Sequence, residues 1–376
     1  MSSKSSQLHL PFRVEEEGLS IGQILNEENL AHRWYDYVQG FPGTLVAQKI
    51  RDHGLNASSS VLDPFCGSGT TLVTAKFLGL RNFGIEANPL MVFITEAKTD
   101  WETDPEALNR QGKKILRELE QLCSAPGAAA TQVSQIPMRS LNQWFKPETL
   151  REILLARPLF EAPAVDNSVA LKLRLAFSRA MFDASQVSMC PGITFTKKRK
   201  PSLRECLQLK LNQIVSDLKD IRKAAIAGGK SRTFLGDART ADTHIPARSI
   251  DFIFTSPPYP TDIEYTRQTR AELFFLGFIK DLSDVQQIKK SMVRGSPKNI
   301  YKDDHNEQYI QGYPQIQELS ALIAEKLKDK NWGWDYVSRG PGILWRHVPL
   351  FAGLPENPLG RRVVPAGGRG SDVQRN

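Results

Sequence analysis

The chain has 376 residues, 40% of them hydrophobic and 24% charged, which excludes a largely disordered protein and allows one large core or two modest ones. The net charge of +8 favours a polyanionic partner, although a merely basic surface has the same charge. No window is apolar for the length of a membrane span, and four scattered cysteines without a C-x-x-C pair argue against a zinc site or a disulfide framework.

The start of the chain is polar. Residues 1–20 lack the apolar core of a secretory signal, so we expect a flexible N-terminus and a cytoplasmic protein. An aromatic group between Trp34 and Phe41 then precedes a helical pattern from Thr44 to Arg51. Such a group is more often core than pocket, and both interpretations stay open here.

A strand, a glycine turn and a helix are predicted between Val61 and Gly79. The apolar run ends at Asp63, and the turn P-F-C-G-S-G-T follows it. Its glycines allow backbone N–H groups to approach a ligand, and the helix N-terminus behind them favours negative charge. The pattern indicates a binding loop, although a glycine turn is also an ordinary connection between a strand and a helix.

A second apolar strand ends in Glu86. This acid follows the glycine turn by about twenty residues, the placement of a carboxylate that binds ribose hydroxyls. Asn88-Pro89 then restricts the backbone and starts another helix. The two strands and the helix between them predict a βαβ unit, in which ligands bind at the carboxyl ends of the strands.

Residues 98–231 have mostly helical patterns. Apolar residues recur three and four positions apart over Leu108–Cys123, Val169–Phe182 and Leu203–Ala227. Because the segment is too long for a plain crossover, we predict a helical insertion at residues 98–231 and consider it a candidate target-recognition region.

The densest basic run of the chain lies within this insertion. Lys197, Lys198, Arg199 and Lys200 are flanked by Pro191-Gly192 and Pro201, which predicts an exposed loop or hairpin. Such a run can neutralise DNA phosphates without reading the base sequence. A solvated loop or a localisation-like signal has the same composition, but DNA contact is the favoured interpretation.

Two strand patterns follow the insertion. The first ends in Gly236-Asp237, and the second ends in the turn Ser256–Tyr259, S-P-P-Y. Its prolines lack N–H groups and have restricted φ angles, which leaves carbonyls free to point outward. With the Ser256 hydroxyl, these acceptors can stabilise positive charge developing on an amino nitrogen, while Tyr259 offers an aromatic face to a base. The alternative is a rigid turn with a buried tyrosine.

D-P-F-C-G-S-G-T and S-P-P-Y together resemble the motifs of the amino-group DNA methyltransferases, which use S-adenosylmethionine to methylate N4 of cytosine or N6 of adenine. The resemblance implies an α/β fold with a Rossmann-like sheet, its catalytic core formed by residues 21–97 and 232–338. It also implies duplex DNA as partner, with the target base flipped out of the helix. No metal is required, and a cognate restriction endonuclease is a candidate second partner.

The resemblance assigns roles at the matching positions. The expected cofactor-binding residues are Asp63, Phe65, Gly67, Gly69, Thr70, Glu86, Asn88 and Asp237, the last for the adenine amino group. The alternative for Asp237 is a cap of the next turn. The expected catalytic residues are Ser256, Pro257, Pro258 and Tyr259. Arg267 and Arg270, on a helix-like run after the catalytic turn, are expected near DNA phosphates, and Asp262 near the pocket.

The acceptor base is less firmly indicated than the reaction. Ser-Pro-Pro-Tyr is associated with N4 of cytosine and Asp-Pro-Pro-Tyr more commonly with N6 of adenine, so cytosine is favoured and adenine is the alternative. A truncated protein that binds S-adenosylmethionine or DNA without turnover is a second alternative. An RNA methyltransferase is a third, but the chain has no recognisable accessory RNA-binding module.

The tail, residues 339–376, has a different composition. It is rich in Gly, Pro and Arg and contains no lysine, which argues against packed strands and helices. The family completes its sheet in this region, and Val363–Gly368 echoes the corresponding turn only faintly. We therefore predict that the C-terminal part of the sheet is incomplete, for example through a shifted reading frame near Ser338.

Overall fold

A computed structural model describes residues 30–37, 40–125, 138, 141–161, 166–189, 193–226, 228–258, 264–293, 314–327 and 364–365. Residues 1–20, Tyr259, Asp262 and all of the tail except 364–365 lie outside these ranges. The expectations about them therefore stay predictions.

The strands form one central sheet and one hairpin. They are β1 (Ser60–Asp63), β2 (Arg81–Glu86), β3 (Val187–Met189), β4 (Ile193–Phe195), β5 (Ser231–Leu235), β6 (Phe252–Thr255) and β7 (Val364–Pro365). The sheet has the order β5-β2-β1-β6-β7 with parallel neighbours, and β3 pairs with β4 in antiparallel orientation. The predicted α/β fold with a Rossmann-like parallel sheet is confirmed.

The tail contributes one short strand, β7, which lies within the segment Val363–Gly368 noted in the sequence. Val364 lies opposite Phe254 and Pro365 opposite Thr255. A strand of two residues that ends in proline is compatible with a sheet edge, because proline cannot donate a ladder hydrogen bond and is tolerated there. The rest of the tail lies outside the described residues, so the prediction of an incomplete C-terminal part of the sheet stays a prediction.

Helices connect and cover the strands. They are α1 (Gly43–Asp52), α2 (Thr70–Phe77), α3 (Pro89–Thr99), α4 (Pro105–Ser124), α5 (Leu141–Trp144), α6 (Pro147–Glu161), α7 (Asn167–Ala184), α8 (Leu203–Lys223), α9 (Tyr265–Gln268), α10 (Arg270–Phe275), α11 (Leu282–Ser291) and α12 (Pro314–Leu327). The predicted helix from Leu203 to Ala227 ends four residues early, because the backbone turns left-handed at Ala225, where φ is 51°.

The sheet is covered on both faces, which explains why β1 is buried along its whole length. Successive side chains of a strand point to opposite faces. Val61 accordingly packs with α1 and β6 residues such as Ile50 and Phe254, whereas Leu62 packs on the other face with Ile85 and Ile245. Burial of both faces leaves the edge formed by the strand ends as the place where polar groups can meet a ligand.

The helices between β2 and β5, α3 to α8, contribute most of the largest hydrophobic cluster. Their termini are capped by side chains: Asp104 accepts hydrogen bonds at the start of α4, and Ser202 with Glu205 forms a capping box at the start of α8. Two ion pairs tie the cluster to neighbouring segments, Lys172 with Asp100 and Arg33 with Asp217. The insertion is therefore packed against the core rather than loosely attached to it.

Candidate active site

Four strands of the sheet end around one cavity. The residues that follow β1, β2, β5 and β6 line it, and it contains about 950 Å³ of empty space, part of it open to solvent. The cavity lies where β1 stands between β2 and β6, the point at which the strand order reverses and where open α/β sheets bind ligands.

The glycine turn forms one wall of the cavity through Phe65, Gly67 and Thr70. Gly69, the residue before α2, has φ of 83°, and a Cβ atom there would lie 2.8 Å from the Thr95 side chain. Only glycine suits this position. Among the described side chains none caps α2, so the N–H groups of its first turn remain available to a ligand.

Glu86 forms the next part of the wall. One carboxylate oxygen accepts a hydrogen bond from the Gly67 amide at 3.0 Å and the other accepts one from the Asn88 amide at 2.8 Å. Burial raises the pKa of Glu86 to about 7, although these amide hydrogen bonds oppose the rise. Because a carboxylate has about four lone-pair sites, acceptor capacity remains for hydroxyl groups in the cavity.

Asp63 lies behind the wall rather than in it. Its side chain is fully buried and accepts hydrogen bonds from Thr71 Oγ1 at 2.6 Å, Thr255 Oγ1 at 2.8 Å and the Phe65 amide at 3.0 Å. Burial raises its pKa to about 6, opposed by these three hydrogen bonds. Asp63 and Gly69 therefore shape the loop, while Phe65, Gly67, Thr70, Glu86 and Asn88 line the cavity.

The Ser-Pro-Pro turn faces the same cavity. Ser256, Pro257 and Pro258 line it together with Gly67 and Glu86. The loops after β1 and β6 meet there although Asp63 and Thr255 are 192 residues apart in the chain, because β1 and β6 are parallel neighbours. Tyr259 lies outside the described residues, and its expected catalytic role stays a prediction.

Asp237 is engaged within its own turn. Its side chain accepts a hydrogen bond from the Arg239 amide and caps the 3-10 helix Ala238–Thr243, and it forms an ion pair with the Arg239 guanidinium. Gly236 and Ala238 line the cavity on either side of it. A short acid after a strand commonly caps the next turn in this way, and the cofactor-binding role of Asp237 stays a prediction.

The residues expected near DNA differ in exposure. Lys197, Lys198, Arg199 and Arg267 are exposed, and Lys200 is half-buried. Arg270 forms an ion pair with Glu264 at 3.0 Å, and Lys289 approaches the same carboxylate oxygen at 2.6 Å. The guanidinium of Arg270 therefore already has an acidic partner, whereas the basic run after β4 has the exposed surface that sequence analysis predicts.

The direction of α7 brings this basic run to the cavity side of the sheet. Near its start, Lys172 contacts Asp100 at the C-terminal end of α3. Further along α7, Ser178 contacts Glu272 of α10 at 3.1 Å. Thr269, the residue before α10, accepts a hydrogen bond from Asn88, the residue before α3. Because α3 begins at the carboxyl end of β2, α7 runs toward that edge, and the β3–β4 hairpin leaves the helix there.

Several wall residues could not be identified from sequence. In the aromatic group between Trp34 and Phe41, Trp34 and Tyr35 lie in the core, whereas Tyr37 and Phe41 line the cavity. Ser291, Met292 and Val293 reach the cavity from the end of α11. Their contact with the site is long-range and carries no local signal.

Comparison with known proteins gives a consistent family. The family model for N6 and N4 DNA methylases, described as DNA methylase, matches residues 11–96. Type II methyltransferase M.BsoBI of Geobacillus stearothermophilus is 26% identical over 74% of this chain, and M.AvaI of Anabaena variabilis is 25% identical over 81%. M.MvaI of Kocuria varians is 23% identical over 80% of the chain.

The matched regions cover 58% of M.BsoBI, 65% of M.AvaI and 69% of M.MvaI, so the chain spans about three fifths of the first two relatives. No solved structure matches the chain.

In the part of the chain that the structure describes, no helix has the length and apolar character needed to cross a membrane. The same residues contain no cluster of three or more His, Cys, Asp or Glu side chains able to hold a metal ion.

Proposed function

Since this chain belongs to the amino-group DNA methyltransferases, we propose that it transfers a methyl group from S-adenosylmethionine to N4 of cytosine in duplex DNA. The observation that carries the proposal is the shared cavity: Gly67 and Glu86 line it on one side and the Ser256–Pro258 turn on the other. A donor and an acceptor bound to these two loops would lie within one space.

The cofactor loop suits S-adenosylmethionine. The open N-terminus of α2 favours the carboxylate of the methionine part, and Glu86 has lone pairs left for ribose hydroxyls. Thr70 and Asn88 complete the polar wall. When bound, S-adenosylmethionine supplies a methyl group attached to a positively charged sulfur.

The catalytic turn would provide hydrogen-bond acceptors. An exocyclic amino nitrogen is a poor nucleophile because its lone pair is delocalised into the base. The Ser256 hydroxyl and the Pro257 carbonyl would accept hydrogen bonds from this amino group and stabilise the positive charge that develops on it. Tyr259 would stack on the base after it flips out of the duplex.

DNA would approach the carboxyl edge of the sheet. The β3–β4 hairpin leaves α7 at that edge. The exposed Lys197, Lys198 and Arg199, which follow β4, would contact phosphates beside the flipped base. The helical insertion would then hold the duplex over the cavity and contribute to target recognition. The proposal also includes a cognate endonuclease of the same sequence specificity as a partner.

The direct test is to incubate the purified protein with unmethylated genomic DNA and S-adenosylmethionine and to identify methylated nucleosides by mass. N4-methylcytosine supports the proposal. N6-methyladenine would retain the mechanism but change the base. Measurable binding of S-adenosylmethionine without any methylated nucleoside would instead favour a binding protein without turnover.

A further inference from the structure

The buried carboxylate of Asp63 connects the two loops that line the cavity. Asp63 ends β1 and Thr255 ends β6, the neighbouring parallel strand. The Thr255 hydroxyl donates to one oxygen of Asp63 at 2.8 Å, and Thr71, in the first turn of α2, donates to the other at 2.6 Å. One side chain thus joins the catalytic strand to the cofactor-loop helix.

From this arrangement, and on the basis of the proposed function, we propose that Thr255 is a positioning residue that holds the Ser256–Pro258 turn in register with the cofactor loop through the Asp63 carboxylate. Thr255 is the residue before Ser256, and its side chain is buried. It does not line the cavity, so it acts through its neighbours and not by touching the donor or the base.

The physical basis is the high cost of leaving a buried carboxylate without donors. The donors to Asp63 are two hydroxyls and the Phe65 amide, all uncharged. Removal of one would leave an oxygen of a fully buried acid undersatisfied. The bond therefore resists sliding of β6 along β1, and a displacement of about 1 Å in a reacting group can cost on the order of 100-fold in rate.

The two threonines offer a matched pair of variants. Thr255→Val and Thr71→Val each remove one hydroxyl donor from the same carboxylate, and valine preserves the side-chain shape. Thr71 belongs to the cofactor-loop helix, whereas Thr255 leads into the catalytic turn. If Thr255 positions the turn, the two variants should affect different constants although both lose a hydrogen bond to Asp63.

The experiment measures kcat with saturating donor and DNA, and the Kd of S-adenosylmethionine by calorimetry, at a temperature where each variant is folded. Thr255→Val should lower kcat on the order of 10-fold with Kd changed less than about twofold. Thr71→Val should show the opposite split, and Thr255→Ser should restore most of the turnover because it retains the hydroxyl. Equal changes of both constants in both valine variants, or a serine variant as slow as the valine variant, would overturn the proposal.

Hydrogen–deuterium exchange separates this proposal from the proposed function. Faster exchange of the amides at 252–256 in Thr255→Val than in the wild type supports the role of Thr255, even if the wild type methylates no DNA and the proposed function fails. Unchanged exchange together with unchanged kcat, or unchanged exchange in a protein without turnover, would count against Thr255 as a positioning residue.

Discussion

Acids in the helical insertion and acids at the cavity have different hydrogen-bond partners. In the insertion, the buried Asp217 accepts from the Arg33 guanidinium and from Trp34 Nε1, and Asp100 is paired with Lys172. Burial opposes ionisation of Asp100, but the charge of Lys172 and hydrogen bonds outweigh it and lower its pKa. At the cavity, Asp63 and Glu86 accept from hydroxyls and amides, and burial raises the pKa of both.

This difference follows from the partners of the acids, which are cations in the insertion and uncharged donors at the cavity. Each of the two insertion acids is paired with a cation, and these ion pairs hold segments together. The cavity acids are close to titration, and the oxygens of Glu86 face a space that a ligand can enter. Raised pKa values of buried groups in a cleft are typical of functional sites.

The largest expected effect is a loss of stability in the helical insertion. Asp217→Ala removes the acceptor of Arg33 and Trp34 and leaves a half-buried guanidinium without this partner. We expect the free energy of unfolding to fall by roughly 3–5 kcal/mol, as for other broken buried pairs. Urea denaturation measures this loss. Asp220→Ala, at an exposed position of the same helix, is the control, and equal stability of the two variants would show that burial of Asp217 contributes nothing.

The next effect concerns catalysis without loss of stability. Ser256→Ala should lower kcat by roughly 100- to 1,000-fold, the range for removing one group that stabilises a developing charge. The Kd of S-adenosylmethionine and the unfolding midpoint should stay close to those of the wild type. Methyl incorporation and calorimetry measure these quantities, with Ser216→Ala, exposed on α8, as the control. A Ser256→Ala enzyme with normal kcat would exclude the proposed role of the hydroxyl.

A third prediction compares the cavity acid Glu86 with the insertion acid Asp100 through the pH dependence of stability. The pKa of Glu86 rises from 4.5 to about 7 on folding, so between these pH values the folded protein binds more protons than the unfolded chain. The free energy of unfolding should therefore fall as the pH rises through this window, by roughly 2 kcal/mol after allowance for the partial exposure of Glu86. Binding of ribose hydroxyls should strengthen over the same window, because the ionised carboxylate is the better acceptor.

Glu86→Gln tests this linkage. The variant should lose the Glu86 part of the pH dependence in urea denaturation curves recorded from pH 4.5 to 8, and its affinity for S-adenosylmethionine should be lower and less dependent on pH. Asp100→Asn provides the comparison in curves extended below pH 3.8, the ordinary pKa of this acid, because its lowered pKa predicts the opposite sign. That acid stabilises the fold above its unfolded pKa, and this stability is lost as the pH falls through the folded pKa. An unchanged pH dependence in Glu86→Gln would refute the linkage.

The smallest effect concerns DNA. Lys197→Ala with Lys198→Ala should weaken DNA binding uniformly across sequences and should lower the salt slope of log K by roughly one per lost phosphate contact. Fluorescence anisotropy over a range of salt concentrations measures both. The double variant Lys113→Ala with Lys114→Ala, an exposed pair on α4, is matched in charge. If both double variants have the same salt slope, the hairpin is not the surface that contacts phosphates.

Sequence by itself determined the elements whose causes are local. The positions of β1, β2, β5 and β6 follow from apolar runs, and the start of α3 follows from the Asn88-Pro89 signal. The glycine turn and the Ser-Pro-Pro turn were predictable because their backbone requirements are written in residue type. Since the carboxyl ends of parallel strands share one edge of a sheet, these two loops could be expected to meet.

Tertiary structure alone decided what each side chain does at that edge. The buried Asp63 side chain, behind the wall, accepts a hydrogen bond from Thr255, which is 192 residues away in the chain. Met292 and Val293 reach the wall through packing of a distant helix end. Such outcomes depend on strand pairing and on competition among donors in three dimensions, because local periodicity and propensity do not specify which distant partner a polar group finds.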